Sequence, residues 1–172
     1  MPEAIVLIGF MGSGKTTVGK LLAQSLSVPF TDSDEWIAEQ AGKSVATIFD
    51  EDGEKRFRQW EQQFVASIDD QPGIIACGGG LPCFNNLLND LRAHGTVIYL
   101  QATPATLTAN LRQDDISLRP LLRSIPPHQL ESTITERLAQ RIPTYRQAHA
   151  TVTIDGKSPQ QIIAEIRLLA KS

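Results

Sequence analysis

The sequence predicts an α/β protein: a three-layer α/β/α fold in which helices cover both faces of a five-stranded parallel sheet. Three observations carry that prediction. Apolar, β-branched runs alternate with stretches of helical periodicity along all 172 residues, the pattern of a parallel sheet whose strands are buried on both sides. The first run, Ala4–Ile8, leads straight into Gly9-Phe10-Met11-Gly12-Ser13-Gly14-Lys15-Thr16-Thr17 and then a helix, the context in which G-x-x-x-x-G-K-[ST] forms a phosphate-binding P-loop (Walker A). Two further turns, Asp32-Ser33-Asp34 and Gly78-Gly79-Gly80, also follow predicted strands. Ligands of open α/β sheets sit beyond the carboxyl ends of the strands, so all three turns should converge there.

After the first strand, a helix spans residues 14–27, with Val18, Leu21, Leu22 and Leu26 at helical spacing. Residues 28–31 form a short second strand ended by Asp32-Ser33-Asp34. A helix over 35–41 stops at Gly42, which suits the left-handed C′ position, and Ser44 caps a short helix over 44–49. A longer helix covers 53–68, with Phe57, Trp60, Phe64 and Ile68 as its apolar stripe. The third strand is 74–77, and a helix near 84–93 precedes the fourth strand at 97–100. Thr103-Pro104, an N-cap followed by Pro at N1, opens a helix to about Arg112.

Periodicity fails between Gln113 and Pro127, where charges and prolines crowd together; such a stretch inside a compact domain is functional or disordered. Helix returns over 128–141 and continues past Pro143, and the fifth strand is 151–154. Ser158-Pro159 opens the last helix, whose core stripe is Ile162, Ile163, Ile166 and Leu169. No repeat, linker or low-complexity tract divides the chain, so residues 1–172 read as one domain. With the P-loop after the first strand, the arrangement is nucleoside-monophosphate-kinase-like, with a mobile lid at about 113–127.

Composition narrows the function classes. Hydrophobic residues are 41% and charged residues 20%, ordinary for a soluble globular protein. A net charge of −3 gives no general attraction to nucleic acid or an anionic membrane, so any anion site has to be built locally. No apolar run approaches the roughly 18 residues a membrane span needs. Strand-like sequence from Ala4 leaves no room for a targeting peptide, so a cytoplasmic protein is expected; a plastid protein with its transit peptide removed is the alternative. Cys77 and Cys83 lack CxxC spacing and read as thiols in a reducing compartment, with Cys77 a small apolar side chain. His94, His128 and His149 share no ligand-like spacing, and Trp36 and Trp60 read as packing residues. No stripe demands a partner, which makes a monomer the default.

The P-loop glycines let backbone N–H groups turn inward around a polyphosphate, and the free N–H groups of the following helix point at the same place. Lys15 supplies a cation for the β- and γ-phosphates, and Thr16 a hydroxyl for Mg²⁺. Asp32 and Asp34 share a face if extended; such a pair makes sense beside a Mg²⁺–phosphate complex and a hydroxyl substrate, or else as an Asx turn or helix N-cap. Arg58 and Glu61, three apart on a helix, are either a solvated charged face or an arginine held by a carboxylate and aimed at an anionic substrate group. Gly78-Gly79-Gly80 is either a place where a ligand approaches backbone amides closely or a flexible turn before Pro82. Arg119 suits a lid that brings a cation onto the transferring phosphoryl and keeps water out. Arg141 is a second anion anchor or an ordinary cation near a helix end.

Taken together and in order, the motifs resemble the shikimate kinase family from the first strand to the last helix. The set comprises the P-loop, Phe30-Thr31-Asp32-Ser33-Asp34, Gly53-Glu54 followed by Phe57-Arg58 and Glu61, the triple glycine, Arg119-Pro120-Leu121-Leu122, and Arg141 before Pro143-Thr144-Tyr145. The resemblance implies transfer of the ATP γ-phosphate to the 3-hydroxyl of shikimate, giving shikimate 3-phosphate in aromatic amino-acid biosynthesis. It implies that Gly12, Ser13, Gly14, Lys15, Thr16 and Thr17 hold ATP, and that Thr16 and, through water, Asp32 hold Mg²⁺. Asp34 would bind the shikimate hydroxyls and orient or deprotonate the attacking one. Arg58, the triple glycine Gly78, Gly79 and Gly80, and Arg141 would bind shikimate, with the two arginines on its carboxylate. Arg119 would close over the phosphates, making Lys15, Asp34 and Arg119 the catalytic set, while Arg112 and Pro159 would flank the adenine. The stretch 113–118 is longer and more acidic than many members carry. Another small-molecule kinase, for gluconate or a nucleoside monophosphate, would lack the joint set of Asp34, Arg58, Arg141 and triple glycine. A non-catalytic kinase-like binding protein would have lost Lys15, Thr16 or Asp34.

Overall fold

β1 (Ala4–Ile8) is apolar and buried at every position, because it is the middle strand of a sheet with helices on both faces. In this computed structural model, which describes residues 3–69 and 71–171, it is flanked by β3 (Ile74–Ala76) and β4 (Gly95–Gln101). β2 (Phe30–Asp32) and β5 (Ala150–Thr153) are the edges, giving the all-parallel order β2-β3-β1-β4-β5 among the described residues. The helices are α1 (Lys15–Leu26), α2 (Ser33–Ala41), α3 (Val45–Ser67), α4 (Leu87–His94), α5 (Pro104–Gln113), α6 (Leu130–Tyr145) and α7 (Pro159–Ala170). None of the described helices is long and apolar enough to cross a membrane.

Register places the site. Leu7 and Asp32 both pair with Ala76, and Cys77 N donates to Leu7 O at 3.0 Å. The three strands therefore end level, and the P-loop, Asp32-Ser33-Asp34 and Gly78-Gly79-Gly80 leave the sheet side by side. Ser33, fully buried, fastens two of these turns by accepting a hydrogen bond from Gly78 N at 2.8 Å.

Several boundaries differ from expectation. β2 runs through Asp32, whose carboxylate then accepts from Asp34 N at 2.9 Å and Glu35 N at 3.2 Å. This N-cap starts α2 at Ser33 instead of residue 35 and releases Asp34 from any capping duty. The two helices expected at 44–49 and 53–68 are both present within α3 and are separated at Gly53, whose φ of 83° and ψ of 169° are open to glycine alone; the first runs on past residue 49 to the break. The helix expected at 84–93 begins only at Leu87, after a 3₁₀ turn at Leu81–Cys83 and two asparagines, Asn85 and Asn86, in left-handed geometry. Leu169, expected in the α7 core stripe, is 39% exposed, while Ile162, Ile163 and Ile166 are buried. The aperiodic stretch carries a 3₁₀ turn at Ile116–Leu118 and a fully buried Leu122, with a second 3₁₀ turn, Pro127–Gln129, leading into α6.

Candidate active site

The P-loop is packed rather than open. Gly12 and Gly14 both have φ of 86°, and a Cβ on Gly12 would lie 2.8 Å from Leu111 Cγ. Asn110 Nδ2 on α5 donates to Gly12 O at 2.8 Å, fixing the loop from above. Gly14 caps α1 without a side chain, and no acidic residue occupies the first turn, so the helix N–H groups remain available to an anion. Lys15 is 8% exposed; its Nζ donates to Gly9 O at 2.8 Å, Phe10 O at 3.0 Å and Ser13 Oγ at 3.4 Å. Burial, and after it the Arg119 guanidinium, lowers its pKa to about 8. The ammonium rests on the loop's own carbonyls, which phosphate oxygens can replace.

Thr16 Oγ1 donates to Asp32 Oδ2 at 2.8 Å, which puts a hydroxyl and a carboxylate together at the mouth of the loop. Behind them Asp34 is half-buried, and its buried Oδ1 has no hydrogen-bond partner among the described residues. Burial first, and neighbouring Asp32 second, push its pKa up to about 6.

The ambiguity of Arg58 and Glu61 is resolved by burial: they are 7% and 1% exposed, so the face is not solvated. Arg58 Nη1 donates to Glu61 Oε1 at 2.6 Å and Nη2 to Glu54 Oε1 at 3.1 Å. The guanidinium also stacks on Phe84, its carbon 3.9 Å from the ring centre. Burial raises the Glu61 pKa to about 7 against the pull of Arg58. Arg141 lies over the Phe10 ring at 5.2 Å, and Tyr145 Oη donates to Gly79 O at 2.6 Å. Four buried polar atoms lack hydrogen-bond partners among the described residues: Asp34 Oδ1, Arg58 Nε, Glu61 Oε2 and Arg141 Nη1. All four side chains border one cavity of ≈270 Å³. Native proteins rarely leave such groups unpaired, and two carboxylates with two guanidiniums match a small ligand carrying hydroxyls and an anionic group.

The triple glycine makes this convergence possible. A Cβ would sit 2.8 Å from Asp34 Oδ1 at Gly78, 3.1 Å from Met11 N at Gly79, and 2.7 Å from Arg58 Nη1 at Gly80. Gly80→Ala should therefore displace the Arg58 guanidinium and raise the acceptor KM by about tenfold, with the nucleotide KM nearly unchanged; steady-state kinetics check this.

A second cavity, of ≈740 Å³, is lined by Gly12, Ser13, Gly14, Lys15, Thr16, Thr17, Asp32, Lys157 and Pro159 among others. Met11, Asp34, Gly78, Gly79 and Arg119 line both cavities and form the junction. Arg119 is held there by Asp114, Nη2 to Oδ2 at 3.2 Å. Arg58, Gly80 and Arg141 belong to the smaller cavity alone. Arg112 is not brought to either lining: it is exposed, and its Nη2 reaches Pro127 O at 3.5 Å. Sequence reasoning missed Asn110, the Tyr145 contact and Lys157. Of these only Lys157, just past the end of the last strand, carried a positional signal.

The chain matches the family model for shikimate kinase over residues 11–170. The shikimate kinase of Symbiobacterium thermophilum is 42% identical over 166 residues, covering 94% of this chain and 92% of that protein. Among solved structures, shikimate kinase from Acinetobacter baumannii in complex with shikimate superposes with a TM-score of 0.89 at 30% identity, covering 97% of this chain and 92% of that one. A gluconokinase from Sinorhizobium meliloti gives a TM-score of 0.62 at 18% identity, covering 99% and 92%, a likeness of fold.

Proposed function

The chain belongs to the shikimate kinase family, an ATP-dependent phosphotransferase acting on shikimate, and we propose how its two cavities divide that reaction. ATP occupies the larger cavity, with its phosphates on the backbone N–H groups of residues 12–17. Shikimate occupies the smaller one. The observation that carries this placement is the set of polar atoms on Asp34, Arg58, Glu61 and Arg141 that border one cavity beside the P-loop and lack hydrogen-bond partners among the described residues.

Arg58 and Arg141 grip the shikimate carboxylate, and Glu61 and the aromatic ring of Phe84 hold Arg58 in place. Asp34 accepts a hydrogen bond from the 3-hydroxyl and orients it toward the γ-phosphorus. The hydroxyl oxygen bonds to phosphorus as the bond to the β–γ bridging oxygen breaks, ADP departs, and Asp34 takes the hydroxyl proton. Lys15 exchanges the carbonyls of Gly9 and Phe10 for phosphate oxygens, and Arg119 meets the transferring group at the junction of the cavities. Thr16 Oγ1 and Asp32 Oδ2 are hard oxygen donors 2.8 Å apart, a pair that fits Mg²⁺: Thr16 and, through water, Asp32 would hold it. When bound, the ion neutralises charge on the β- and γ-phosphates. The lid at about 113–127 excludes water, residues 1–172 act as one domain, and the enzyme works as a cytoplasmic monomer that binds neither nucleic acid nor membrane.

The pH dependence follows from two groups of opposite requirement. Asp34 works ionised and Lys15 works protonated, so kcat/KM for shikimate should rise through about pH 6 and fall above about pH 8. Stability runs differently. Raised carboxyl pKa values mean that Asp34 and Glu61 favour the fold at low pH, a contribution lost as pH rises through about 6 and about 7. The ligand-free protein should accordingly melt at lower temperature at pH 8 than at pH 5, and Asp34→Asn should flatten that decline; melting curves across pH check both.

ADP release with Mg-ATP and shikimate, gluconate or nucleoside monophosphates in parallel tests the acceptor. Turnover is expected with shikimate. Turnover confined to another acceptor would overturn the reading, and none with any acceptor would point to a binding protein.

A further inference from the structure

The smaller cavity has two walls that come from distant parts of the sequence. Val45 and Phe49, in the turns of α3 before the Gly53 break, form one; Leu118, Arg119, Pro120 and Leu121 of the lid form the other. The walls are joined outside the cavity by a charged contact between residues 73 apart: Arg123 Nη1 lies 3.3 Å from Asp50 Oδ2, and Nη2 bonds Oδ1. This is the two-pronged guanidinium–carboxylate geometry that fixes orientation as well as distance.

Asp50 stands in the acidic run Asp50-Glu51-Asp52, and its two neighbours are already taken by Lys43, at 2.9 and 2.6 Å. Asp50 is thus the acid of the run that is turned to the lid. On the lid side, Leu122 N and Arg123 N both donate to Arg119 O at 3.0 Å, so Arg119 and Arg123 are the two ends of one turn. Buried Leu122 and the bond from Arg137 Nη1 to Leu121 O pin the inner side of that turn. A displacement of Arg123 is therefore passed to the backbone of Arg119. On the helix side, buried Ile48 and the Phe49–Phe57 ring contact at 4.8 Å seat the inner face of the 45–52 segment across the Gly53 break, and exposed Asp50 is left to reach the lid.

We propose that Asp50 and Arg123 form a clasp that holds the lid wall against the α3 wall of the acceptor cavity. They are positioning residues for shikimate capture and, through Arg119, for phosphoryl transfer. The inference rests on shikimate occupying the smaller cavity, as argued above. With the side chains 57% and 33% exposed, the clasp contributes little to global stability and is screened by salt. Those two properties separate a positioning role from a structural one.

The test is initial-rate kinetics of the full chain with Mg-ATP and shikimate at low and high salt, on wild type, Asp50→Asn, Arg123→Gln and the charge-swapped double variant Asp50→Arg/Arg123→Asp. Each single variant should raise shikimate KM by about three- to fivefold, the range of an exposed two-pronged pair, with ATP KM nearly constant and an unchanged melting temperature. Shikimate KM should climb with salt in every form, because the carboxylate pairs with Arg58 and Arg141, but more steeply in wild type than in the single variants. The swap should recover most of the loss. Single variants indistinguishable from wild type, or a swap as impaired as they are, would overturn the clasp while wild-type turnover of shikimate leaves the assigned reaction standing. Absence of shikimate turnover in wild type would instead remove both.

Discussion

Lys15→Met is expected to lower kcat by about a thousandfold, the scale of removing one preorganised charge donor from a transition state. The side chain is 8% exposed in the lining of the larger cavity, and methionine keeps most of its volume there. What is lost is the ammonium that leaves Gly9 O and Phe10 O for the phosphates. Folding should not suffer in proportion. A lysine whose pKa is depressed to about 8 contributes its full stability above its unfolded pKa and has lost it once pH has fallen through about 8. At pH 7 the buried cation is therefore a burden on the fold, and Lys15→Met should melt no lower than wild type. Rates paired with melting curves decide it: a kcat within tenfold of wild type would remove Lys15 from the catalytic set.

Arg58→Ala has the second largest expected effect, and it falls on shikimate rather than on ATP. Truncating one member of a buried, hydrogen-bonded charge pair typically costs about 2–5 kcal/mol in binding, which predicts at least a thirtyfold loss of shikimate affinity. ATP affinity should stay close to wild type, because Arg58 borders only the smaller cavity. The same change leaves Glu61, 1% exposed, without its 2.6 Å partner. Breaking such a pair destabilises by about 3–5 kcal/mol when the orphan stays charged, so the penalty should be large at pH 8 and smaller at pH 5, where Glu61 is protonated. Arg58→Ala/Glu61→Gln should then regain stability at pH 8 without regaining shikimate affinity. Recovery of both by the double variant would show that Arg58 acts on the fold and not on the substrate.

The P-loop could be read directly because its chemistry is local: consecutive residues, one strand and one helix supply all of it. Asp32 and Asp34 could be named but not assigned, since only the pairing of Asp32 with Ala76 and the cap on α2 show that Asp32 starts the helix and Asp34 stands free. Arg58 and Glu61 illustrate a different limit. An i, i+3 charge pair looks the same in sequence whether solvent or a cavity lies beside it, and the aromatic ring that covers Arg58 is Phe84, in a separate loop. Asn110 holding Gly12 and Tyr145 holding Gly79 bridge 98 and 66 residues. Periodicity assigns such residues to helices without saying what they reach. Gly53 could be read from sequence as the start of a second helix, and its non-helical backbone is what separates the two helices of α3. Arg112, taken from family resemblance alone, lies against the chain near Pro127.

The placement of the two substrates is tested most directly by a crystal structure of this enzyme with shikimate and ADP. The shikimate carboxylate should lie between the guanidiniums of Arg58 and Arg141, with the 3-hydroxyl on Asp34 and facing the terminal phosphate on the P-loop. A carboxylate bound away from both arginines, or a 3-hydroxyl turned from Asp34, would contradict it.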